Sequence, residues 1–197
     1  RILATFGDDA RGVLLQIDRY SLLRLVEKFG DANSWSPIIL LFSGMPTKRW
    51  HLIDFAYGIV QEKGLITVAT ILPEKGVTQE RVVNYEHNIL TYLKDKNIKT
   101  LVRVTRAEDP FLGSKQLVNS YGLGSVVPNT ILLGDTEDNS HHESYCDMIS
   151  HFYQLKRNVM ILQNDFKLDY VGHKQIDLWW GGLKGNGALM MIIAHLI

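Results

Sequence analysis

Glycine and serine residues lie together in two short loops of this sequence. One loop contains Gly122, Gly124 and Ser125, and the other contains Ser43 and Gly44 directly after an apolar run. Backbone amides beside glycine can surround an anion such as a phosphate group, because glycine allows another group to approach closely. The spacing matches neither a Walker loop nor a dinucleotide fingerprint. We interpret the first loop either as a structural turn, which we favour, or as part of a phosphate site.

A second group of reactive side chains contains His141, His142, Glu143 and Cys146. His142 and Cys146 are four residues apart, so a helix would present them on one face. Both residue types bind zinc, but a structural zinc site usually has four ligands, and no second pair has matching spacing. We therefore favour a solvated helix start and predict no metal site.

Catalytic patterns are missing from the sequence. It contains neither GxSxG nor HExxH, and Cys146 does not lie in a reactive motif. We therefore predict no catalytic residue and no enzymatic activity.

Apolar runs of strand length alternate with segments of helical periodicity along most of the chain. The predicted strands are Pro37–Phe42, Leu65–Leu72, Lys99–Thr105, a strand starting at Thr130, and Asn158–Leu162. The predicted helices are Asp8–Lys28, Thr47–Lys63, Thr78–Lys96, Pro110–Tyr121 and Thr136–Tyr153.

This alternation predicts an α/β fold, with a mostly parallel sheet and helices on both faces. In open parallel sheets, ligands bind beyond the carboxyl ends of the strands. The Ser43–Gly44 loop follows the first predicted strand directly. It is therefore a natural contributor to a nucleotide pocket, although we slightly favour a plain strand-to-helix turn.

The pattern changes after Leu162. We predict a linker over residues 164–175, a strand over Ile176–Trp180, and a buried helix that starts at Ala188. These elements would begin a second, incomplete α/β subdomain. The predicted organisation is an N-terminal helix and linker (1–33), a first α/β subdomain (34–163), the linker (164–175) and the start of the second subdomain (176–197).

Composition excludes several classes of protein. The 197 residues contain 21 Lys plus Arg and 21 Asp plus Glu, so the basic stripe of a general nucleic-acid binder is not expected. The single cysteine, Cys146, cannot form an internal disulfide, which indicates a reducing compartment. The longest apolar runs are far below the roughly 18 residues of a spanning helix. The chain starts without methionine and stops inside an apolar run, so we expect a fragment of a longer protein.

Five segments in register resemble the cytoplasmic C-terminal domain of the cation-chloride cotransporters, the Na-K-Cl and K-Cl transporter family. The segments are Asp8-Asp-Ala-Arg-Gly, Trp35-Ser-Pro-Ile-Ile-Leu-Leu-Phe-Ser-Gly-Met-Pro46, Leu52-Ile-Asp-Phe55, Gly122-Leu-Gly124 with Pro128-Asn-Thr130 and Gly134, and Ile176-Asp-Leu-Trp-Trp180. Two positions depart from the family pattern: Ser36 replaces an arginine, and glycines after Trp180 replace an acidic pair. The linker at 163–175 is also shorter than in animal members, which indicates a prokaryotic or otherwise minimal member.

The resemblance implies a fold like that of the universal stress proteins, with two related subdomains. It also implies a cytosolic domain that dimerises and regulates ion transport by its own transmembrane domain, at the cytoplasmic face of the cell membrane. Ion coupling would involve chloride with sodium and/or potassium. Some members look able to bind an adenine nucleotide, which by motif would involve Ser43, Gly44, Gly122, Gly124 and Ser125 here. The alternative hypothesis is a freestanding nucleotide-sensing protein of universal-stress type.

Overall fold

The structure of the protein is a computed structural model that describes residues 9–27, 36–61, 63–136, 139–164, 175–179 and 185–197. The chain divides into two compact units, one of residues 1–35 and 121–127 and the other of residues 36–120 and 128–197. In the part of the chain that the structure describes, no helix combines the length and the apolar character that crossing a bilayer requires.

The larger unit is built on a five-stranded parallel sheet with the strand order β3-β2-β1-β4-β5. In chain order, the strands are β1 (Ile38–Phe42), β2 (Leu65–Pro73), β3 (Leu101–Ala107), β4 (Thr130–Gly134) and β5 (Asn158–Leu162). The helices are α1 (Asp9–Glu27), which belongs to the smaller unit, and α2 (Trp50–Val60), α3 (Gln79–Asp95), α4 (Pro110–Ser120), α5 (His142–Gln154) and α6 (Gly187–Leu196).

Helices cover both faces of this sheet, because successive side chains of a strand point to opposite faces. Leu41 of β1 belongs to a buried apolar cluster that it shares with Leu52 of α2. The next residue, Phe42, stacks on Phe152 of α5 with the ring centroids 6.3 Å apart. The predicted α/β fold, a parallel sheet with helices on both faces, is therefore confirmed.

Asn129 joins the amino ends of three strands. Its backbone amide donates to the Ile38 carbonyl at 3.0 Å, and its carbonyl accepts from the Asn158 amide at 2.9 Å. Its side-chain Oδ1 accepts from the Ile38 amide at 3.1 Å, and Nδ2 donates to the Ser36 carbonyl at 2.7 Å. Pro128 has no amide hydrogen to offer the sheet. The carboxamide of the next residue therefore supplies hydrogen bonds at the point where β1 and β4 begin to pair.

The order of the five predicted strands and the helices between them is confirmed, with one notable shift at a helix start. The helix predicted from Thr136 begins as an α-helix only at His142, after a 3-10 turn at Asn139–His141. The cause lies at the end of β4, where the Asp135 amide still donates to the Leu162 carbonyl of β5 at 3.2 Å. This residue remains hydrogen-bonded to the sheet.

The strand predicted at Ile176–Trp180 is wrong for residues 176–179, which form no strand. A strand needs a hydrogen-bonded neighbour, and none of the strands that the structure describes pairs with this segment. Trp180 and residues 165–174 of the predicted linker lie outside the described residues. The division into two related subdomains stays a prediction.

A helix forms near the end of the chain where one was predicted, but its predicted burial is wrong. No side chain of α6 is buried, and Met191 and Ile192 are exposed. Gln61 Nε2 donates to the Leu196 carbonyl of α6 at 2.6 Å, and Ile193 and Leu196 pack, partly buried, against the core cluster. Gln61 itself terminates α2 in the left-handed conformation, with φ of 42°.

The predicted N-terminal helix is confirmed over Asp9–Glu27, since Asp8 and Lys28 lie outside the described residues. Its apolar residues are not confined to one stripe. Adjacent helical residues point about 100° apart, so the neighbours Leu14 and Leu15 cannot share one narrow stripe. At least half of each of the following side chains is exposed: Val13, Leu14, Leu15, Ile17, Tyr20, Leu23, Leu25 and Val26.

Asn129→Ala should lower the free energy of unfolding by about 1–2 kcal/mol, because the Ile38 amide and the Ser36 carbonyl lose their partners. Urea denaturation measures this change. Asn84→Ala, at an exposed helical position, is the matched control and should cost nothing. Equal stability of the two variants would contradict the role assigned to Asn129.

Candidate functional site at the carboxyl ends of β1 and β4

The sheet reverses its winding direction between β1 and β4. Strands β2 and β3 lie on one side of β1, and β4 and β5 lie on the other. Ligands of open parallel sheets bind at such a switch point, beyond the carboxyl ends of the strands. A cleft of about 260 Å³ is located there, and the following residues line it: Phe42, Gly44, Arg49, Ala69, Ile71, Pro110, Phe111, Ser114, Leu133, Gly134, Asp135, Thr136, Tyr145 and Met148.

The loop after β1 forms one wall of this cleft. Gly44 has φ of +64°, a conformation that favours glycine, and a Cβ there would meet no other atom within 4 Å. The Thr70 hydroxyl donates to the Gly44 carbonyl at 2.8 Å, which fixes the loop to β2. Ser43 is fully buried, and its hydroxyl contacts the Gly44 carbonyl at 3.5 Å. Of these two predicted site residues, Gly44 therefore lines the cleft and Ser43 supports the loop.

Arg49 supplies a positive charge at the mouth of the cleft. A Cβ built on Gly134 would lie only 3.1 Å from Arg49 Nη1 and 3.3 Å from Leu52 Cδ1. Glycine at the end of β4 therefore leaves room for the guanidinium. The exposed Arg49 side chain makes no hydrogen bond or ion pair with any residue that the structure describes.

Asp135 supplies a negative charge directly after Gly134. Its Oδ1 accepts from the Thr136 amide at 2.8 Å, and the backbone amide of Asp135 donates to β5. Both contacts position the carboxylate, and neither engages a described cationic side chain. The cleft thus contains a carboxylate and a guanidinium near the same strand end.

Tyr145 of α5 closes the cleft beside these charges. Its hydroxyl donates to the Gly134 carbonyl at 2.9 Å. Burial of the phenol, helped by the nearby Asp135 carboxylate and opposed by Arg49, raises the pKa of Tyr145 to about 12. The phenol is therefore a neutral donor at physiological pH, and it holds α5 against the end of β4.

The glycine-rich loop belongs to the smaller unit and forms a tight hairpin. Leu123 and Val126 exchange backbone hydrogen bonds of 3.0 Å in both directions. Gly124 has φ of +60° inside this turn. Gly122 has φ of +140°, and a Cβ on it would lie 2.5 Å from Val127 Cγ1. The turn therefore accounts for both glycines without a ligand.

The five residues of the predicted nucleotide site fall into different units. Ser43 and Gly44 belong to the larger unit, whereas Gly122, Gly124 and Ser125 belong to the smaller one. Nucleotide binding by this set stays a prediction. The sequence analysis did not single out Arg49, Asp135 or Tyr145, although the position of Asp135 directly after an apolar strand was a usable signal.

The histidine and cysteine cluster shows no arrangement of ligands. Among the described residues, no three His, Cys, Asp or Glu side chains are grouped closely enough to hold a metal ion. Cys146 is exposed, and the His141 ring lies 5.7 Å from the Phe111 ring, measured between centroids.

Tyr145→Phe should lower the free energy of unfolding by about 1 kcal/mol at pH 7, through loss of the hydrogen bond to Gly134. At alkaline pH the difference should shrink. The unfolded tyrosine ionises near pH 10, whereas the folded one keeps its proton to about pH 12. The native state then binds more protons, so the wild-type protein loses stability as pH rises through this window, and the variant lacks this loss.

Denaturation series from pH 8 to pH 11.5 test this expectation. Tyr153→Phe removes a phenol that is 78% exposed and serves as the control. Parallel pH curves for the wild type and Tyr145→Phe would contradict the assignment.

Comparison with known proteins identifies the family. The model of solute carrier family 12 matches residues 49–177. The fold is similar to the cytoplasmic domain of a prokaryotic cation chloride cotransporter, with a TM-score of 0.55, 17% identity, and coverage of 82% of this chain and 61% of that chain. A universal stress family protein from Burkholderia pseudomallei also matches, with a TM-score of 0.40, 13% identity, and coverage of 64% of this chain and 94% of that chain. This chain therefore spans about three fifths of the cotransporter domain that it matches, and it belongs to solute carrier family 12.

Proposed function

We propose that this chain is a cytosolic regulatory and dimerisation domain of a cation-chloride cotransporter. The observation that carries the proposal is the family match over residues 49–177, on a fold shared with a cotransporter cytoplasmic domain. Its first partner is then its own transmembrane domain, which moves chloride with sodium and/or potassium. The domain lies at the cytoplasmic face of the cell membrane.

A regulatory rather than catalytic role agrees with the family. Solute carrier family 12 is a transporter family and not an enzyme family. The charged residues that line the cleft are Arg49 and Asp135, and the tyrosine beside them is a neutral donor. We therefore keep the prediction that the chain does not hydrolyse ATP.

Helix α1 is the surface that we propose for self-association. The segment from Ile176 is the other candidate surface, and the apolar residues of α1 decide between the two. They are exposed, and Val13, Ile17 and Tyr20 have the spacing of one helical face. A second copy of the same helix is the occupant proposed here, because two-fold pairing of identical surfaces is the commonest form of oligomer.

Ile17→Glu should convert a dimer of the 197-residue chain into a monomer, because it places a charge at the centre of the proposed contact. Sedimentation velocity from micromolar to millimolar concentration measures the change. Ile192→Glu, on the exposed side of α6, is the matched control and should leave the dimer intact. A wild-type chain that remains monomeric throughout would refute self-association, and dissociation by Ile192→Glu alone would place the contact on α6.

The regulatory role is tested in the full-length protein that carries this chain. Chloride-dependent rubidium uptake into proteoliposomes should change when Ile17→Glu is introduced, at equal amounts of reconstituted protein. Uptake equal to that of the wild type, together with loss of the dimer, would separate assembly from regulation and reject the regulatory part.

Nucleotide binding is a second candidate function, of the universal-stress type. One observation favours it: the Ser125 hydroxyl is buried and has no hydrogen-bond partner among the described residues. Buried polar groups normally have partners, so a ligand oxygen would satisfy this hydroxyl.

Ser125→Ala separates a ligand role from a structural one. It should leave stability unchanged or slightly higher, while weakening ADP or ATP binding in calorimetry by about tenfold, the value of one hydrogen bond to a charged group. Absence of heat with either nucleotide at millimolar concentration would reject nucleotide binding, and the dimer proposal would be unaffected.

A further inference from the structure

Among the described residues, those that line the cleft at the carboxyl ends of β1 and β4 carry one charge of each sign. Of the residues that line it, Arg49 is cationic and Asp135 is anionic. They form no ion pair with each other, and Arg49 has no other described partner. Arg49 Nη1 lies near Gly134, and Asp135 is the next residue along the chain, so both charges lie at the end of β4, where Tyr145 binds the Gly134 carbonyl. The cleft therefore offers one anion-binding and one cation-binding group at a short separation.

The rest of the lining is mostly apolar. Ile71, Phe111 and Met148 contribute hydrocarbon or aromatic surface. The hydroxyls of Tyr145 and Ser114 are already satisfied, by the carbonyls of Gly134 and Pro110 at 2.9 and 2.8 Å. Recognition of a polar ligand therefore depends on the two charges and on Thr136, and the rest of the walls suits an apolar side chain.

Size and charge argue against a nucleotide as the occupant. A volume of about 260 Å³ is below the range of about 300–1,000 Å³ that is usual for larger ligands. A triphosphate would bring several negative charges to a cleft with one guanidinium and a repelling carboxylate. A small ligand with balanced charge fits better, because each of its charges meets the opposite sign.

We propose that this cleft binds a small zwitterion, specifically an α-amino acid with an apolar side chain. The ligand carboxylate would pair with the Arg49 guanidinium, which suits bidentate contact with a carboxylate. The ligand ammonium would pair with the Asp135 carboxylate. The side chain would lie against Phe111 and Met148. This site is separate from α1, so its test does not depend on self-association.

Calorimetric titration of the 197-residue chain with each of the twenty standard amino acids at pH 7 tests the proposal. At least one apolar amino acid should bind with a dissociation constant of millimolar or below. The amide of that amino acid lacks the carboxylate, and the N-acetyl derivative of the same amino acid lacks the ammonium. Each should bind at least about tenfold more weakly, because each loses a charge-assisted contact. This comparison needs no variant of the protein.

Two substitutions then test both charges, and Asp135→Asn gives opposite signs for the two kinds of ligand. Arg49→Gln should weaken amino acid binding by at least about tenfold, and Asp135→Asn should do the same while keeping an acceptor for the Thr136 amide. For an anion such as phosphate or ATP, Asp135→Asn should instead strengthen binding, since it removes a repelling charge. Arg103→Gln, at an exposed position of β3, is the matched control for loss of an arginine.

Three results would overturn the proposal. The first is no binding of any amino acid at 10 millimolar, about the weakest useful limit. The second is equal affinity for the amino acid and its amide. The third is binding of ATP or phosphate that Asp135→Asn strengthens, which would assign the cleft to an anion.

Discussion

The pairing of β1 with β4 is the contact on which the rest of the larger unit depends, and Asn129 secures it at its start. Its carboxamide engages the Ile38 amide and the Ser36 carbonyl beside a proline that has no amide hydrogen to donate. The register that follows places Phe42 opposite Leu133. The residues after these two positions form the cleft. A hydrogen-bonding amide at the amino edge of the sheet thus determines which groups meet at the opposite edge.

Much of the fold could be predicted from the order of the apolar segments along the sequence. Strands β1 and β4 have strong local signals, because Ile38–Phe42 and Thr130–Gly134 are almost wholly apolar and mostly buried. The Ile176 segment gave an equally apolar signal but forms no strand over residues 176–179, since strand formation needs a partner and not composition alone. Helix α1 shows the same limit, because its apolar residues do not reveal whether they will be buried.

The candidate site was predictable only in part. Gly44 was found because it follows an apolar strand, and the structure places it on the cleft wall. Gly122 and Gly124 attracted attention as glycines, but a positive φ and a close contact within a hairpin account for them. Arg49 and Asp135 are 86 positions apart (135 minus 49), and Asp135 is marked only by its position directly after an apolar strand. Their meaning depends on the strand order that brings both to one cleft.

The close approach of Arg49 to Gly134 has a consequence for how this family can vary. Any residue other than glycine at the end of β4 would direct a Cβ to within 3.1 Å of the guanidinium. A Cβ at position 134 would therefore require the guanidinium to shift by a few tenths of an ångström. The two positions are expected to covary among homologues, with arginine retained where the strand ends in glycine. Homologues with a different residue at position 49 or 134 would then be those in which the cleft no longer contains the arginine guanidinium.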